Sequence, residues 1–339
     1  MSQDTQIGRV HNVLEEQESR LVKILESRIH EDPISGREDI DSILARLDTS
    51  LLTHHLLRRL EKHKIPVHKG GSFHRFMVEE SESKKLGIGS PGWRLNRKTR
   101  AYRFIDELGV RRPKTTSKPQ RFAALSPAAP SVVKAVSGTG GRGTYLVLSD
   151  QEIRHVADGK SFASWGELSE HAKLLMNGNE RPVRDRWLHE EMILEDSARR
   201  VPARDSKFFC FYGEVLFSLD VIRGKAGSQY AFSLPDGTDF VPGHWDYKYF
   251  DSPGPTAEQL ELVRSISAEI PYPFMRIDML LGEDELVFGE FTPRPGQFHR
   301  FSREWDRRMG EAWLRARTRV QDDLLAGKRF EAFTRTVMS

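Results

Sequence analysis

The sequence predicts an α+β fold in which a helix-rich N-terminal region precedes a longer stretch of interspersed helices, strands and β-hairpins. Apolar residues recur at helical spacing near the N-terminus, whereas short β-rich runs separated by Gly-containing turns dominate the second half. The chain has 339 residues, of which 38% are hydrophobic and 30% charged, and this is typical of a globular protein with two or three packed modules.

The N-terminal region is predicted to be mainly helical. An amphipathic pattern predicts a helix over residues 9–30, and a second predicted helix covers 40–63 and ends before Pro66. The Gly- and Ser-rich stretch 67–97 predicts only a short strand. Several histidines in this half lack the spacing of an HExxH zinc motif, which favours surface or capping positions over a metal site. They are His54, His55, His63, His68 and His74.

From residue 98 onwards, helices and strands are interspersed. The predicted helices are 98–110, 150–157, 166–175, 256–269 and 301–325. The predicted strands and hairpins are 131–149, 186–193, 207–224 and 273–296.

Composition excludes several functional classes. The net charge is only +3 and the basic residues are dispersed, so a nucleic-acid partner is not indicated. The single cysteine, Cys210, excludes an intramolecular disulfide and a thiolate metal cluster. No stretch reaches the roughly 18 apolar residues of a membrane span, and the polar N-terminus is unlike a secretory signal. These features predict a cytoplasmic protein, and they leave a homodimer open.

A glycine-rich loop is the first candidate for phosphate binding. Residues Gly138–Gly143 read GTGGRG and match G-x-G-x-x-G, but the residues that follow predict a strand where a dinucleotide-binding loop would open a helix. We interpret the loop as a flap between two antiparallel strands, whose bare backbone can approach phosphate oxygens closely. Lys134 precedes the flap and is placed to reach those phosphates; the alternative is an exposed lysine beside a surface turn. A protein kinase is disfavoured, because the strings H-R-D and D-F-G do not occur.

A hairpin with facing carboxylates is a candidate for metal binding. Arg276 and Asp278 share one face of their strand, and Glu290 and Thr292 share one face of the next. A three-residue turn at 283–285 would place Asp278 opposite Glu290, with Cβ atoms about 4.5–5.5 Å apart. Two carboxylates so close repel each other unless a cation lies between them, and Mg²⁺ suits such a site. The alternative is a half-buried hairpin in which Arg276 forms a salt bridge with one acid.

The order of these elements resembles the ATP-grasp superfamily. Lys98, which opens the predicted helix KTRAYRFIDELGV, resembles the first ATP lysine of these enzymes, and Lys134 in SVVKAV resembles the second. The string HEEMI at 189–193 resembles the hinge strand whose backbone grips adenine. Asp278 and Glu290 resemble the metal-binding acids.

Two strings resemble the TupA-like (teichuronic-acid-synthesis) ATP-grasp proteins in particular. Residues 204–209 (RDSKFF) resemble P-x-D-Y-K-F-F, and RID at 276–278 followed by FGEFT at 288–292 resembles R-x-D … F-G-E-x-T. Two positions depart from the pattern. Ser206 stands where the subgroup tends to have an aromatic residue, and Thr292 where most ATP-grasp ligases have Asn. A hydroxyl is a poorer Mg²⁺ ligand than an amide oxygen, so the number of metal ions is left open.

The resemblance covers roughly residues 95–325 and implies an ATP-grasp fold, in which two α+β subdomains clasp ATP. The implied division is a helix-rich region 1–95, a small subdomain with the flap at 96–190, and a large subdomain with the metal-binding hairpin at 191–339.

The resemblance also implies roles for individual residues. The catalytic residues are Lys134 and Arg276. The ATP-binding residues are Lys98, Lys134, Ser137, Gly138, Thr139, Gly140, Gly141, Glu190, Glu191, Met192, Ile193 and Lys207. The ligands of Mg²⁺ are Asp278, Glu290 and Thr292, and the residues that hold the acceptor's carboxylate are Arg223 and Arg294. For the arginines the alternative is a structural or surface ion pair.

Three functions remain open at this point. The first is an ADP-forming ligase that activates a small-molecule carboxylate as an acyl phosphate and transfers it to an amine or related nucleophile. The second is a cell-surface polysaccharide enzyme of the TupA-like kind, with a saccharide acceptor. The third is a non-catalytic nucleotide-binding module, and the presence of both lysines and both acids argues against it.

Overall fold

The computed structural model describes residues 3–31, 34–116, 118–137, 140–178, 182–224, 227–244 and 248–338. Within these ranges, no helix combines the length and the apolar character that crossing a membrane requires.

The residues up to Glu82 form one compact unit together with Arg303–Glu311. Its N-terminal helices are α1 (Gln3–Glu31), α2 (Arg37–Arg46), α3 (His54–Lys62) and α4 (Phe73–Lys85), the last of which extends past the end of the unit. The helix predicted over 9–30 is confirmed as α1. Aliphatic side chains from α1, α2 and α3 form the core of this unit: Leu25, Ile29, Ile40, Leu44, Leu56 and Leu60.

Two predictions for this region are wrong. The helix predicted over 40–63 is interrupted, because Asp48 and Thr53 turn their side chains onto the backbone N–H groups of Ser50 and Leu56 and so cap two separate elements. The stretch 67–97 contains the helix α4 in place of a short strand.

The second compact unit comprises Ser83–Ser302 and the residues from Ala312 onwards. Its elements begin with α5 (Pro91–Arg94), α6 (Lys98–Glu107), β1 (Ser131–Ala135), β2 (Thr144–Ser149), β3 (Glu152–His155), β4 (Ser161–Phe162), α7 (Trp165–Asn177) and β5 (Trp187–Glu191). They continue with β6 (Leu194–Asp196), β7 (Val201–Pro202), β8 (Arg204–Phe211), β9 (Glu214–Gly224), β10 (Gly227–Ser233), β11 (Lys248–Tyr249) and α8 (Ala257–Ala268). The last are β12 (Met275–Leu281), β13 (Leu286–Thr292), α9 (Arg303–Leu325), whose first turns belong to the first unit, and α10 (Glu331–Met338).

The first sheet of this unit has the described strand order β4-β3-β2-β1-β5, with antiparallel neighbours. Alternate side chains of its strands point into one core with α7: Val133, Tyr145, Val147, Ile153, Leu168 and Trp187. The predicted helix 150–157 is wrong, since this segment contains β3. There Ile153 and His155 alternate with more exposed residues, a pattern that repeats every two residues as in a strand.

The second sheet has the described order β11-β10-β9-β8-β12-β13. The predicted hairpins 207–224 and 273–296 are confirmed as β8–β9 and β12–β13. In β8, Asp205 and Lys207 share one face, and their cross-strand neighbours on that face include Asp278 of β12. The predicted α+β fold class is confirmed, and the two sheets bring the charged candidates together as described next.

Candidate active site

The glycine-rich flap leaves β1 and returns as β2. Gly140, Gly141 and Gly143 have φ angles of 62°, 80° and 71°, the left-handed region that favours glycine. A Cβ atom on Gly141 would lie 2.8 Å from Cγ1 of Val156, so the flap crosses the turn after β3 only because this residue has no side chain.

The start of the flap is tethered to the segment before β5. The hydroxyl of Ser137 accepts a hydrogen bond from the backbone N–H of Arg184 at 3.0 Å. Ser137 is therefore positioned by the protein itself, and a phosphate contact through its hydroxyl would compete with this bond. Gly138 and Thr139 lie outside the described residues.

Lys98, Lys134 and Glu190 meet in one group beside β1 and β5. Lys98 is in the first turn of α6 and Tyr102 lies one turn later, on the same face. The Nζ of Lys134 lies 3.5 Å from Oε2 of Glu190, and the hydroxyl of Tyr102 donates a hydrogen bond to Oε1 at 2.8 Å. Glu190 is only 5% exposed, so the lysine and the phenol hold a buried carboxylate in a fixed position.

The two lysines compete for this one carboxylate. Burial and the neighbouring charge of Lys134 lower the pKa of Lys98 from 10.5 to about 7, against the opposing effect of Glu190. Burial also acts to lower the pKa of Lys134, but Glu190, Tyr102 and Glu290 together outweigh it and raise that pKa. Within the described residues, the Nζ of Lys98 is buried without a hydrogen-bond partner. An incoming anion would supply this missing partner.

The hinge segment 190–193 is already partly bonded to the protein. The N–H of Glu191 donates to the carbonyl of Lys114 at 2.8 Å, and the carbonyl of Ile193 accepts from the N–H of Ala203 at 2.9 Å. These two groups are therefore already hydrogen-bonded, and the predicted contacts with adenine would have to use the other N–H and carbonyl groups of the segment.

The side chains of the hinge serve to hold it in place. The carboxylate of Glu191 accepts hydrogen bonds from Arg111 at 2.8 Å and from the backbone N–H of Lys114 at 2.9 Å. Met192 is buried, so its side chain packs in the interior. These contacts fix the strand that a purine ring would lie against.

The predicted pairing of the two carboxylates in the β12–β13 hairpin is confirmed. Asp278 pairs directly with Glu290, and Arg276 with Thr292. The turn is one residue longer than predicted, because Leu281 pairs with Leu286, and a bulge at Gly289 restores the pairing. A Cβ atom on Gly289 would lie 2.9 Å from the carbonyl oxygen of Asp278, so the bulge requires glycine.

Asp278 is the centre of a buried ion-pair network. Its Oδ1 accepts from Nε of Arg276 at 2.6 Å, and its Oδ2 accepts from a guanidinium nitrogen of Arg276 at 2.6 Å and from Lys207 at 2.8 Å. Burial alone would raise the pKa of Asp278, but Arg276 and Lys207 hold it below its usual value. Arg276 also donates to the hydroxyl of Thr292 at 3.0 Å. The salt bridge considered for this hairpin thus exists, with Asp278 as the acid.

A divalent cation fits beside this network. Among the described residues, Oδ1 of Asp278 accepts one hydrogen bond, which leaves a lone pair for a metal ion. Glu290 lies directly opposite with an exposed carboxylate. Two carboxylate oxygens together with water are a suitable donor set for Mg²⁺. The hydroxyl of Thr292 is already bonded to Arg276, which makes it the weakest of the three predicted ligands.

The two arginines proposed to bind the acceptor both have partners. Arg223 forms a short ion pair with Asp205, which also lies 3.3 Å from the Nζ of Lys207. Arg294 stacks over the ring of Trp93 with its guanidinium carbon 5.2 Å from the centroid. Arg223 therefore continues the row of alternating charges on the sheet, whereas Arg294 lies on an aromatic surface.

The carboxylate of Glu290, in the β12–β13 hairpin, acts electrostatically on Lys98 and Lys134. The charge of Glu290 acts to raise the pKa of Lys134 and opposes the lowering of the pKa of Lys98. Glu290 is thus within electrostatic reach of both lysines, although it comes from the other sheet. The candidate site therefore has two groups of charges, one from α6 and the first sheet and one from the second sheet, and the electrostatic effect of Glu290 links them.

Sequence reasoning missed two members of this site. Tyr102 lies four residues after Lys98, so the helical repeat could have placed it beside the lysine. Asp205 lies two residues before Lys207, so the alternation of a strand could have placed both on one face.

Comparison with known families identifies the chain. The family described as TupA-like ATPgrasp matches residues 81–314, more than half of the chain and every residue of the site above. The chain belongs to the TupA-like ATP-grasp family. No curated protein matches it significantly.

Solved structures of ATP-grasp ligases are also similar to this TupA-like chain. The D-alanine–D-alanine ligase of Bacillus anthracis complexed with ATP has 12% identity and a TM-score of 0.42, with 72% of this chain and 75% of that chain covered. The ATP-grasp ligase PsnB, complexed with a phosphomimetic variant of its minimal precursor, Mg and ADP, has 10% identity and a TM-score of 0.38, with 73% of each chain covered. Structural similarity at these TM-scores does not support conclusions about substrates.

Proposed function

We propose that this chain is an ATP-dependent ligase that activates a small-molecule carboxylate as an acyl phosphate, releases ADP, and transfers the acyl group to an amine or related nucleophile. The observation that supports this most is the position of Glu290, opposite Asp278 and within electrostatic reach of Lys98 and Lys134. This position would bring cations for a triphosphate and carboxylates for its metal ion into one site.

Each residue has a role in the proposed reaction. Lys98, Lys134 and Lys207 bind the phosphates and neutralise their charge. Asp278 and Glu290 would hold Mg²⁺, which would supply further positive charge to the phosphate oxygens. A carboxylate oxygen of the substrate attacks the γ-phosphorus and the bond to ADP breaks. The amine then attacks the acyl carbon, phosphate leaves, and the amine loses its proton to solvent.

The arginines are proposed to hold the reacting carboxylates. Arg276 is fixed by Asp278 and Thr292 and would stabilise the acyl phosphate or the tetrahedral species that follows it. Arg223 and Arg294 would bind the acceptor. Because Arg223 is paired with Asp205, its use requires the substrate to share or replace that ion pair. Arg294 keeps its hydrogen-bonding edge when it stacks on Trp93, so a carboxylate can be added without breaking the stack.

A second candidate acceptor is a saccharide of a cell-surface polysaccharide, because the family is the TupA-like one. The same activation chemistry would then form an ester or amide on a sugar. We place either reaction in the cytoplasm, where ATP is available and where the free, buried thiol of Cys210 would stay reduced.

One experiment separates these functions. The protein is incubated with Mg-ATP and pooled amino acids, with and without amino sugars, and products are identified by mass spectrometry together with ADP release. Amide products from amino acids alone support the ligase, and products that require the sugar support the second candidate. If ADP release does not exceed that of the Glu290→Gln variant under any condition, the chain is a nucleotide-binding module and both proposals fail.

A further inference from the structure

Tyr102 shares the carboxylate of Glu190 with Lys134, and the proposed reaction gives this tyrosine no role. Tyr102 lies one helical turn after Lys98 on the same face of α6 and is only 7% exposed. Its hydroxyl donates to Oε1 of Glu190 at 2.8 Å, while the Nζ of Lys134 lies 3.5 Å from Oε2. Each oxygen of the carboxylate therefore has a partner, and neither partner is Lys98.

The hydroxyl of Tyr102 acts as a donor throughout the neutral pH range. Burial, which is the larger effect, and the charge of Glu190 raise the pKa of Tyr102, so the phenol keeps its proton. Oε1 is the oxygen that a side chain from α6 reaches. Since Lys98 comes from the same face of the same helix, the hydroxyl occupies the side of the carboxylate from which Lys98 would approach.

The ring of Tyr102 is held in place by its neighbours. The guanidinium carbon of Arg112 lies 4.8 Å from the centroid of the ring, and Arg112 is itself fixed by two hydrogen bonds to Asp106, at 2.7 and 2.9 Å. The ring of Phe288 packs edge-on against it, with centroids 6.3 Å apart. These contacts keep the hydroxyl directed at Glu190.

Lys98 is left without a partner by this arrangement. Within the described residues, its Nζ is buried and has no hydrogen-bond partner. The charged groups that act on it come from three strands: Lys134 of β1, Glu190 of β5 and Glu290 of β13. A buried amine in this state gains strongly from an anion that reaches it.

We propose that Tyr102 is a positioning residue that reserves Lys98 for the phosphates of the nucleotide, an inference that rests on the proposed function. By donating to Oε1 of Glu190, Tyr102 keeps Lys98 from forming an ion pair with this carboxylate in the free protein. Lys98 then binds the incoming triphosphate without first giving up an internal ion pair.

The first test compares the full-length, nucleotide-free parent with Tyr102→Phe, which keeps the ring and removes only the hydroxyl. Lys98 should then pair with Glu190, and its pKa should rise from about 7 by about one unit. NMR spectra of the lysine side chains recorded against pH measure this value, and the signal of Lys98 is the one absent from Lys98→Met. The matched control is Tyr212→Phe, which removes the phenol–carboxylate hydrogen bond to Asp323 of α9 and should leave the pKa of Lys98 unchanged.

The pH dependence of ATP affinity gives a second readout. Below pH 7 Lys98 is protonated in both proteins, and in Tyr102→Phe it must leave Glu190, so ATP should bind about tenfold more weakly than to the parent. The two affinities should converge as the pH rises above both pKa values, because Lys98 is then neutral in each free protein. A merely structural role of Tyr102 would weaken binding by the same factor at every pH.

Two outcomes would overturn the proposal. One is a pKa of Lys98 that is unchanged in Tyr102→Phe, or that shifts equally in Tyr212→Phe. The other is a loss of ATP affinity in Tyr102→Phe that does not vary with pH. If the parent binds no ATP at any pH, the proposed function fails, whereas the spectra still decide whether Tyr102 keeps Lys98 from Glu190.

Discussion

The two buried lysines of the site share the negative charge of one carboxylate, and a bound anion would supply a second negative charge. The ammonium of Lys134 lies 3.5 Å from the carboxylate of Glu190, and burial together with the charge of Lys134 lowers the pKa of Lys98 to about 7, which favours the loss of its proton. A triphosphate would remove the need for this loss. Nucleotide binding should therefore be coupled to protonation of Lys98.

This coupling gives a prediction about pH. With a pKa of about 7 in the free protein, Lys98 is mostly neutral at pH 8 and must take up a proton when phosphate binds. The affinity for ATP should fall as the pH rises above 7, by up to about tenfold per pH unit. At pH 8 roughly 0.9 proton per ATP should be taken up in excess of the Lys98→Met variant. Calorimetry in two buffers of different ionisation enthalpy measures this number. Equal proton uptake by parent and Lys98→Met would show that Lys98 does not titrate on binding.

The residues that the sequence could predict are those within short motifs. Lys98, Lys134, Asp278 and Glu290 each belong to a recognisable string, and the pairing of the two acids is confirmed. The link between Tyr102 and Glu190 could not be predicted, because it joins α6 to β5 across 88 residues. Local periodicity gives the face of an element but not the element packed against it.

At the scale of elements, the carboxylate hairpin depends on one irregularity. The pairing of Asp278 with Glu290 was predicted from a three-residue turn, whereas the structure combines a longer turn with a bulge at Gly289. The extra residue in the turn and the extra residue in the bulge compensate each other, so the predicted register is restored from the Asp278–Glu290 pair onwards. Without the bulge, the longer turn would place Gly289 opposite Asp278 and move Glu290 out of register.

A substitution at the bulge tests this dependence. Gly289→Ala places a methyl group 2.9 Å from the carbonyl oxygen of Asp278, a backbone atom that cannot move freely. We expect a loss of about 1–3 kcal/mol in the free energy of unfolding and a weaker response of ATP binding to Mg²⁺. The control is Gly296→Ala, which follows the same hairpin and would meet no atom within 4 Å. Denaturant titration measures both variants, and equal stability of the two would contradict the role of Gly289.

The wrong predictions for elements have local causes. In 40–63 the apolar repeat continues across Asp48 and Thr53, and this periodicity does not reveal that each of these side chains caps the start of a new element. In 67–97 the Gly and Ser residues predict no more than a short strand, although α4 begins right after Ser72, whose hydroxyl accepts from the N–H of Arg75. Phe73, Phe76 and Met77 are buried at helical spacing within it.

At the scale of the whole molecule, the family and the geometry agree. The family match begins at residue 81, close to the end of the first compact unit at Glu82. The nucleotide-binding proposal rests entirely on the second unit. The division of that unit into subdomains 96–190 and 191–339 remains a proposal, supported by the two larger sheets, of which the five-stranded one lies in the first range except for Glu191 and the six-stranded one in the second.

ATP is proposed to be held by Lys98 of α6 and Lys134 of the first sheet and, through Mg²⁺, by the β12–β13 hairpin of the second sheet. The most direct test is the affinity for ATP with and without Mg²⁺ in the parent, in Glu290→Gln, and in the control Glu283→Gln, an exposed acid in the same hairpin turn. We predict that Mg²⁺ tightens ATP binding in the parent and the control by about tenfold or more, equivalent to about 1.4 kcal/mol. Glu290→Gln should lose this gain and melt close to the parent temperature, because Arg276 keeps its partner Asp278. A Glu290→Gln protein that retains the full effect of Mg²⁺ would contradict the account.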